Sequence, residues 1–230
     1  MTASRFLLIL VAAVGLGLTV AACGSSSSST SSSSSTHPTR FVSRVDNPWY
    51  PLAPGTVLRY RGVKDGKPMT NVVAVTHATR RIMGIPTTVV RDRVYVHGRL
   101  SEDTVDWFAQ DRRGNVWYLG EDTKELDIHG RVFSREGSWE AGVRGARPGI
   151  IMPANPRVGQ TFRMEFEAGN AEDWARIASV SSRRLRTEEW TPLDPGVLDN
   201  KYYVRGVGTV RELAVRGGNE RLDLVSVSRG

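Results

Sequence analysis

Apolar and polar residues alternate along most of the chain after about residue 55, which is the two-residue period of β-strands with one buried face. The clearest segment is Thr161–Ala168, whose apolar side chains are predicted to face one side of a sheet and whose charged side chains are predicted to face the other. The remaining predicted strands share this alternation and are Thr56–Val63, Asn71–His77, Thr87–Val96, Leu100–Ala109, Asn115–Leu119, Lys201–Val204, Thr209–Val215 and Arg221–Val227.

Short polar turns separate these strands. Asp65-Gly66 is a hairpin signal, and the segments His97–Arg99, Gln110–Gly114 and Gly217–Asn219 are turns of the same kind. Sequential strands joined by short turns favour an all-β, antiparallel meander that forms a curved sheet, a barrel or a sandwich.

Four segments interrupt the alternation. Ala171–Ile177 is predicted to form one short helix, capped by Asn170 and carrying acidic residues near the positive end of its dipole. Three Pro-rich segments, Asp46–Gly55, Pro148–Pro156 and Trp190–Gly196, are predicted to be ordered but irregular loops. Because these loops are too apolar to be solvated, we expect them to cover the open end of the sheet or a bound ligand.

The residue types in the first 23 positions follow one another as they do in an export signal. Arg5 precedes an apolar run from Phe6 to Val20, which is shorter than the ~20 residues that a membrane-spanning helix needs. Ala21 and Ala22 then precede Cys23, and this arrangement resembles the lipobox of bacterial lipoproteins. The resemblance implies cleavage before Cys23 and fatty acylation of that residue, for example with palmitate, which would anchor the chain to the membrane.

A polar tether follows the cysteine. Residues 25–36 are twelve consecutive Ser and Thr residues, with no apolar side chain to offset the entropy of ordering them. Such a chain reaches on the order of 20–25 Å. The sequence therefore predicts a signal peptide at 1–22, a lipidated tether at 23–40 and one globular β domain at 41–230. The predicted location is extracytoplasmic, on the bacterial cell membrane.

Composition narrows the possible partners. The net charge is +7, and Arg accounts for most of the basic residues. These residues are spread along the chain among 24 acids, so we predict no nucleic-acid partner. Since Cys23 is the only cysteine, the domain has no internal disulfide.

Several Pro- and aromatic-rich stretches resemble an uncharacterised family of predicted bacterial exported proteins and lipoproteins. The stretches are Asn47–Leu52, Pro54-Gly55, Asp106–Asp111, Gly114–Tyr118, Gly120–Thr123, Pro148–Pro156, and Glu189–Leu193 through Lys201–Tyr203. The resemblance covers most of the domain and implies no known activity. Relative to that family the chain is shorter between Ile177 and Thr187, where a hairpin would be expected.

Chemically competent residues are few. The four His residues lack metal-ligand spacing, and no nucleophile elbow or phosphate-binding loop is present. Four carboxylates, Asp106, Asp111, Glu121 and Asp122, form a candidate calcium site, or supply an acid–base pair for a glycosidase. Turn hydrogen bonds and solvation are the alternative roles for these side chains. No other cofactor is predicted.

Aromatic residues are the candidate ligand-binding groups. Trp107 and Trp117 lie on consecutive predicted strands and could form a cross-strand pair, while Phe108 and Tyr118 would point to the opposite faces. The candidate ligand-binding residues are Trp107, Trp117, Trp49 and Trp190, with packing in the core as the alternative.

Three function classes remain open. The first is a non-catalytic binding or carrier module for a lipid, a sugar or a peptide, or for a polymer of the envelope. The second is a scaffold or protein-interaction domain without a small-molecule site, and the third is a carboxylate-dependent hydrolase. A pocket larger than about 300 Å³ would distinguish the first from the second.

Overall fold

The computed structural model describes residues 40–230, which form β-strands and connecting turns without a helix. The strands are β1 (Phe41–Val42), β2 (Thr56–Lys64), β3 (Lys67–Ile82), β4 (Ile85–Val96), β5 (Arg99–Asp111), β6 (Val116–Leu126), β7 (Val132–Ser134), β8 (Trp139–Glu140), β9 (Arg147–Met152), β10 (Thr161–Arg163), β11 (Glu165–Phe166), β12 (Trp174–Val180), β13 (Arg184–Thr191), β14 (Asp194–Val204), β15 (Gly208–Arg216) and β16 (Arg221–Arg229). The signal peptide at 1–22, Cys23 and the tether up to residue 39 lie outside the described residues. In the described part of the chain, no helix has the length and apolar character to cross a membrane.

All strands belong to one antiparallel sheet. Neighbours follow the order β10-β12-β13-β14-β15-β16-β2-β3-β4-β5-β6-β9-β11, and β1, β7 and β8 add short pairings to β5 and β6. The prediction of an all-β, antiparallel meander is therefore confirmed. The pairing of β16 with β2 joins the last strand to the first long strand of the described chain.

The two ends of this sheet meet in one segment of chain. The β10 half of the segment pairs with β12, and the β11 half pairs with β9. Only Met164 separates the two halves, and its N–H donates to the carbonyl of Asp173 at 2.8 Å. Because one short stretch contacts both ends, the sheet nearly closes into a barrel.

The predicted hairpins are confirmed. Asp65 and Gly66 have φ of 51° and 71°, and His97 and Gly98 have φ of 51° and 74°. Two successive positive φ values are typical of the type I′ turn, whose twist matches that of the flanking strands. A third turn of this kind, Met83-Gly84, joins β3 to β4 and extends both strands beyond their predicted ends.

The predicted helix at Ala171–Ile177 is wrong. The segment from Trp174 is a strand in which Ala175 and Ile177 are buried and Arg176 is exposed, so its true period is two. Asn170 is a turn residue whose amide donates to the Ser138 carbonyl at 3.0 Å, rather than a helix cap. Pairing along both β10 and β13 outweighs the weak local helical preference.

Two of the three predicted irregular loops are largely strands. The loop at 148–156 contains most of β9, which pairs with β6, and the loop at 190–196 is the tight β13–β14 hairpin around Pro192-Leu193. Proline is compatible with a turn position because no N–H is needed there. The segment 46–55 is irregular as predicted. A hairpin also joins β12 to β13, although the chain is short there.

The alternation in Thr161–Ala168 holds only as far as Met164. Beyond it Glu165 and Glu167 are buried, whereas Phe166 is partly exposed beneath the guanidinium groups of Arg147 and Arg163, at 4.3 and 4.4 Å. The pattern changes because the segment changes its pairing partner at Met164.

Candidate functional site

The Pro- and aromatic-rich segment Asp46–Gly55, called the strap below, is held to the sheet mainly by Asn47. The Asn47 amide donates to the carbonyls of Gly114 and Pro153 at 2.8 and 3.1 Å, and its side-chain oxygen accepts from the Trp49 N–H at 2.8 Å. The side chain of Gln110 on β5 accepts from the backbone N–H of Asn47 at 2.8 Å. These bonds are largely buried, so the strap is a fixed part of the fold.

A second buried network lies beside the strap at the β5–β6 turn. Asp111 accepts hydrogen bonds from the N–H groups of Arg113 and Asn115, from the Asn115 amide, and from the Trp117 indole at 2.9 Å. Asn115 in turn accepts from the Ala154 N–H at 2.8 Å. These two networks connect the segments 47–52, 106–111, 114–118 and 148–156 to one another, and their hydrogen bonds hold the fold together.

Past this network the strap reaches a cavity in the curved sheet. Its empty volume, including the open mouth, is about 500 Å³. The apolar lining comes from the strap, from four strands and from the β14–β15 turn, and consists of Pro51, Leu52, Leu58, Val73, Val90, Phe108 and Val207. Tyr50, Tyr60, Thr209 and three carboxylic acids complete the described lining together with Gly208.

The three acids of the cavity are Asp92 on β4, Asp106 on β5 and Glu212 on β15. Each is at most 5% exposed. Burial raises the pKa of Asp92 well above its ordinary value, and the neighbouring Asp106 raises it further. Burial also raises the pKa of Asp106 to about 7 and that of Glu212 to about 6. All three values express the cost of charging a carboxyl away from water.

Hydrogen bonding leaves part of this set unpaired. Asp106 accepts from the Tyr118 hydroxyl at 2.7 Å, and one oxygen of Asp92 accepts from the Asn71 amide. The other oxygen of Asp92, Oδ2, is buried and has no hydrogen-bond partner among residues 40–230, and the same is true of Glu212 Oε2. An unpaired buried oxygen costs about 1–3 kcal/mol. These two atoms are the acceptors that a ligand could satisfy.

A buried lysine lies on the strand next to Glu212. Lys201 occupies the position opposite Glu212 on the neighbouring strand, and its ammonium is 3.0 Å from Glu189 Oε2. Burial opposes its charge, but attraction to Glu189 and Glu212 prevails and raises its pKa well above the ordinary value. Lys201 is therefore a buried cation committed to Glu189.

None of the four predicted ligand-binding tryptophans lines the cavity. Trp49 and Trp107 are buried beneath Arg205 and Arg80, with guanidinium-to-ring distances of 5.5 and 4.1 Å. Trp117 donates to Asp111 as described above. Trp190 is partly buried and lies opposite Trp174 on the neighbouring strand. A ligand-binding role for these residues stays a prediction.

The predicted cross-strand pair of Trp107 and Trp117 is wrong. The register places Trp107 opposite Gly120 and Trp117 opposite Ala109, while Phe108 lies opposite Tyr118. The two rings of this second pair stack with their centroids 4.7 Å apart. Trp117 therefore faces a residue two positions beyond Trp107 along β5, and the facing aromatic pair is Phe108 with Tyr118.

The four predicted carboxylates do not converge at one site. Asp106 lines the cavity, Asp111 holds the β5–β6 turn, and Asp122 forms ion pairs with Lys124 and Arg135 at 3.0 and 2.7 Å. Glu121 lies opposite Asp106 and accepts from the Thr123 hydroxyl at 2.8 Å. Within residues 40–230 no three His, Cys, Asp or Glu residues are grouped to hold a metal ion. Calcium binding stays a prediction.

Sequence reasoning missed Asp92 and Glu212. A signal for Asp92 was available, because the alternation in β4 places it on the same face as Val90 and Val94. An acid between two apolar positions of one strand face is a buried acid whenever that face is covered. Glu212 has a similar signal, since β15 places it between Val210 and Ala214 on one strand face.

No protein-family model matches the chain, and no curated protein matches it in sequence. Two solved structures are similar in shape. One is a predicted exported protein with a YmcC-like fold from Bacteroides fragilis, with 12% identity and a TM-score of 0.44. The other is a predicted lipoprotein from Parabacteroides distasonis, with 10% identity and a TM-score of 0.38. Each alignment covers 79% of this chain and 99% of the other.

Proposed function

We propose that the chain is a cell-envelope lipoprotein, anchored to the bacterial membrane through acylated Cys23, whose β domain binds and carries a small molecule without transforming it. The anchor is argued from the order of basic residue, apolar run, small residues and cysteine in the sequence. The binding role is argued from the cavity, and above all from the two unpaired carboxylate oxygens in its wall.

The cavity opens to solvent, and its empty volume of about 500 Å³ includes that open part, so its lining rather than its size supports a binding role. The apolar part of its wall offers the burial that drives binding, and the few polar groups offer orientation. A scaffold domain would gain stability from apolar side chains in place of Asp92 and Glu212, because buried unpaired acids are costly. Asp92 and Glu212 differ from other unpaired buried acids, such as Asp173 and Asp199, in that they line the cavity, and this location supports a binding role.

The predicted hydrolase site requires two of Asp106, Asp111, Glu121 and Asp122 to converge in one cleft. Asp106 is the one member of that set in the cavity lining, while Asp111 and Asp122 are engaged elsewhere by hydrogen bonds and ion pairs. The carboxylates predicted for a hydrolase are therefore not gathered in the lining, although the cavity holds Asp92 and Glu212 beside Asp106.

The test is native mass spectrometry of the chain with Cys23→Ser, released from its bacterial host without detergent. We expect an additional mass bound to this protein. Val207 lines the cavity and is partly exposed, so Val207→Trp should reduce the space and remove the bound mass. Val63 is 41% exposed on β2 and is no part of the lining, so Val63→Trp is the matched control and should retain the mass. Repeated absence of any bound mass in the parent protein would overturn the proposal.

A further inference from the structure

We propose that the ligand of this cavity carries a positively charged amine on a hydrocarbon body, and that Asp92 and Glu212 receive the amine. This inference rests on the proposed binding function and specifies the chemical class of its ligand. It depends on three observations: the charge of the wall, the unpaired oxygens and the apolar remainder of the lining.

The charge of the wall has one sign. The titratable acids of the lining are Asp92, Asp106 and Glu212, and no Lys, Arg or His is among the described lining residues. The nearby buried cation, Lys201, forms its ion pair with Glu189. A fatty acid or a phosphate headgroup would therefore meet carboxyl groups without a matching cation, whereas an ammonium would meet opposite charge.

The unpaired oxygens supply the directional contacts. Asp92 Oδ2 and Glu212 Oε2 are both buried acceptors without a donor in the described chain. An ammonium offers three N–H donors, and its hydrogen bonds to carboxylates are charge-assisted and about twice as strong as neutral ones. Its positive charge would also favour the ionised form of the two acids and so offset part of the burial that raises their pKa values.

The remainder of the wall suits a hydrocarbon chain. Leu58, Val73, Val90 and Phe108 line the cavity together with the strap residues Pro51 and Leu52. A ligand with an amine at one end and a hydrocarbon body at the other would satisfy both parts of the wall. A fully hydroxylated sugar would leave the apolar part in contact with polar groups.

The experiment compares three probes with the same tail and different heads, namely n-octylammonium, 1-octanol and octanoate. Binding is measured by calorimetry at pH 8, below micellar concentrations, on the Cys23→Ser chain. An alkylamine is protonated at this pH, because its pKa is close to that of lysine, about 10.4. We expect octylammonium to bind at least about tenfold more tightly than octanol, and octanoate to bind most weakly.

Two isosteric variants identify the groups that bind the amine. Asp92→Asn and Glu212→Gln should each weaken octylammonium binding by about tenfold or more and leave octanol binding nearly unchanged. Asp223→Asn is the control, since Asp223 pairs with Arg211 and Arg221 on the surface, outside the cavity. Should one acid variant fail to fold, the other and Val207→Trp still report whether the probe occupies the cavity.

The outcomes separate this inference from the proposed function. Equal binding of octanol and octylammonium, or unchanged octylammonium binding in both acid variants, overturns the amine inference, and a bound mass in the native experiment would still uphold a carrier. Failure of all three probes to bind likewise overturns the amine inference. The carrier proposal itself fails only if no mass accompanies the protein from its host.

Discussion

The ammonium of Lys201 pairs with Glu189 on β13, at 3.0 Å, although Glu212 lies directly opposite Lys201 on β15. The ion pair stabilises Glu189, whereas Glu212 Oε2 has no hydrogen bond in the described chain. The unpaired acceptor in the cavity wall is therefore a consequence of how a single buried cation is shared between two strands.

We predict that Lys201→Met destabilises the domain by about 3–5 kcal/mol, because it leaves Glu189 as an uncompensated buried charge. Urea unfolding measures the change. Lys124→Met is the matched control: Lys124 pairs with Asp122 where both side chains are partly exposed, so the loss should be below about 1 kcal/mol. Equal losses in the two variants would show that the Lys201–Glu189 pair is not the buried interaction described above.

The domain should be more stable at pH 5 than at pH 8. Burial raises the pKa of Asp199 and Asp173 to about 8, and that of Asp106 to about 7. Between the unfolded value of about 4 and these folded values, the folded state holds protons that the unfolded state has lost. The free energy of unfolding therefore falls as pH rises, by up to about 1.4 kcal/mol per pH unit for each group.

Thermal unfolding between pH 5 and 8 tests this dependence. Asp199→Asn should flatten the curve in this range, because it removes one of the titrating groups. Asp223→Asn should leave the slope unchanged, since the pKa of Asp223 is lowered and its titration lies at more acidic pH. A melting temperature that rises from pH 5 to pH 8 would contradict the burial of these acids.

Asn47→Ala should loosen the strap and cost about 2–4 kcal/mol, because the carbonyls of Gly114 and Pro153 and the N–H of Trp49 lose their partner. The measurement is chemical unfolding, combined with hydrogen exchange of the strap amides. Asn219→Ala removes one exposed hydrogen bond from Asp65 and should cost less than about 0.5 kcal/mol. Unchanged exchange in the strap would show that other contacts hold it.

Gly149→Ala should disrupt the closure of the sheet. A Cβ at Gly149 would lie 2.3 Å from the carbonyl carbon and oxygen of Met164, at the point where β9 meets the closing segment. Backbone atoms cannot move aside as a side chain can, so the cost should reach about 3 kcal/mol or more. In Gly196→Ala the nearest atom is the Asp194 carboxylate at 3.3 Å, and melting should change little. Similar melting temperatures for both variants would indicate that β9 and the closing segment are not in close contact.

Cys23→Ser should release the protein from the membrane while leaving export intact. Fatty acylation requires the thiol, and two or three acyl chains are what makes anchoring stable. Detergent-phase partitioning and vesicle washing provide the measurement, with a Ser-to-Ala change at residue 25 as the control. Continued membrane retention of Cys23→Ser would overturn the anchor.

Local patterns in the sequence predicted most strands and hairpins, because alternation and turn residues act over a few positions. The predictions failed where pairing over long distances decided the structure. Ala171–Ile177 has a weak helical preference that pairing with β10 and β13 outweighs. In the same way, Met164 looks like an ordinary strand residue, and its place between two pairing partners depends on segments on both sides of it.

The cavity could be predicted only in part. Asp106 was singled out as an acid near a turn, but its burial beside Asp92 and Glu212 depends on strands β4, β5 and β15 curving around one space. The tryptophans were chosen for their size and chemistry, and that same size places three of them among the buried side chains. The cavity is distinguished by acids that lie on covered strand faces. These acids can be recognised only once the order of the strands is known.

The pairing of β16 with β2 has a consequence for how the protein is made. Until Arg221–Arg229 has been synthesised, β2 and β15 each lack a neighbour, and two long rows of backbone N–H and C=O groups remain available to other chains. A nascent polypeptide that stalls before this strand would be prone to aggregate, however well its earlier hairpins have formed. Assembly should therefore be slow and concerted, with a rate set by contacts that span nearly the whole domain.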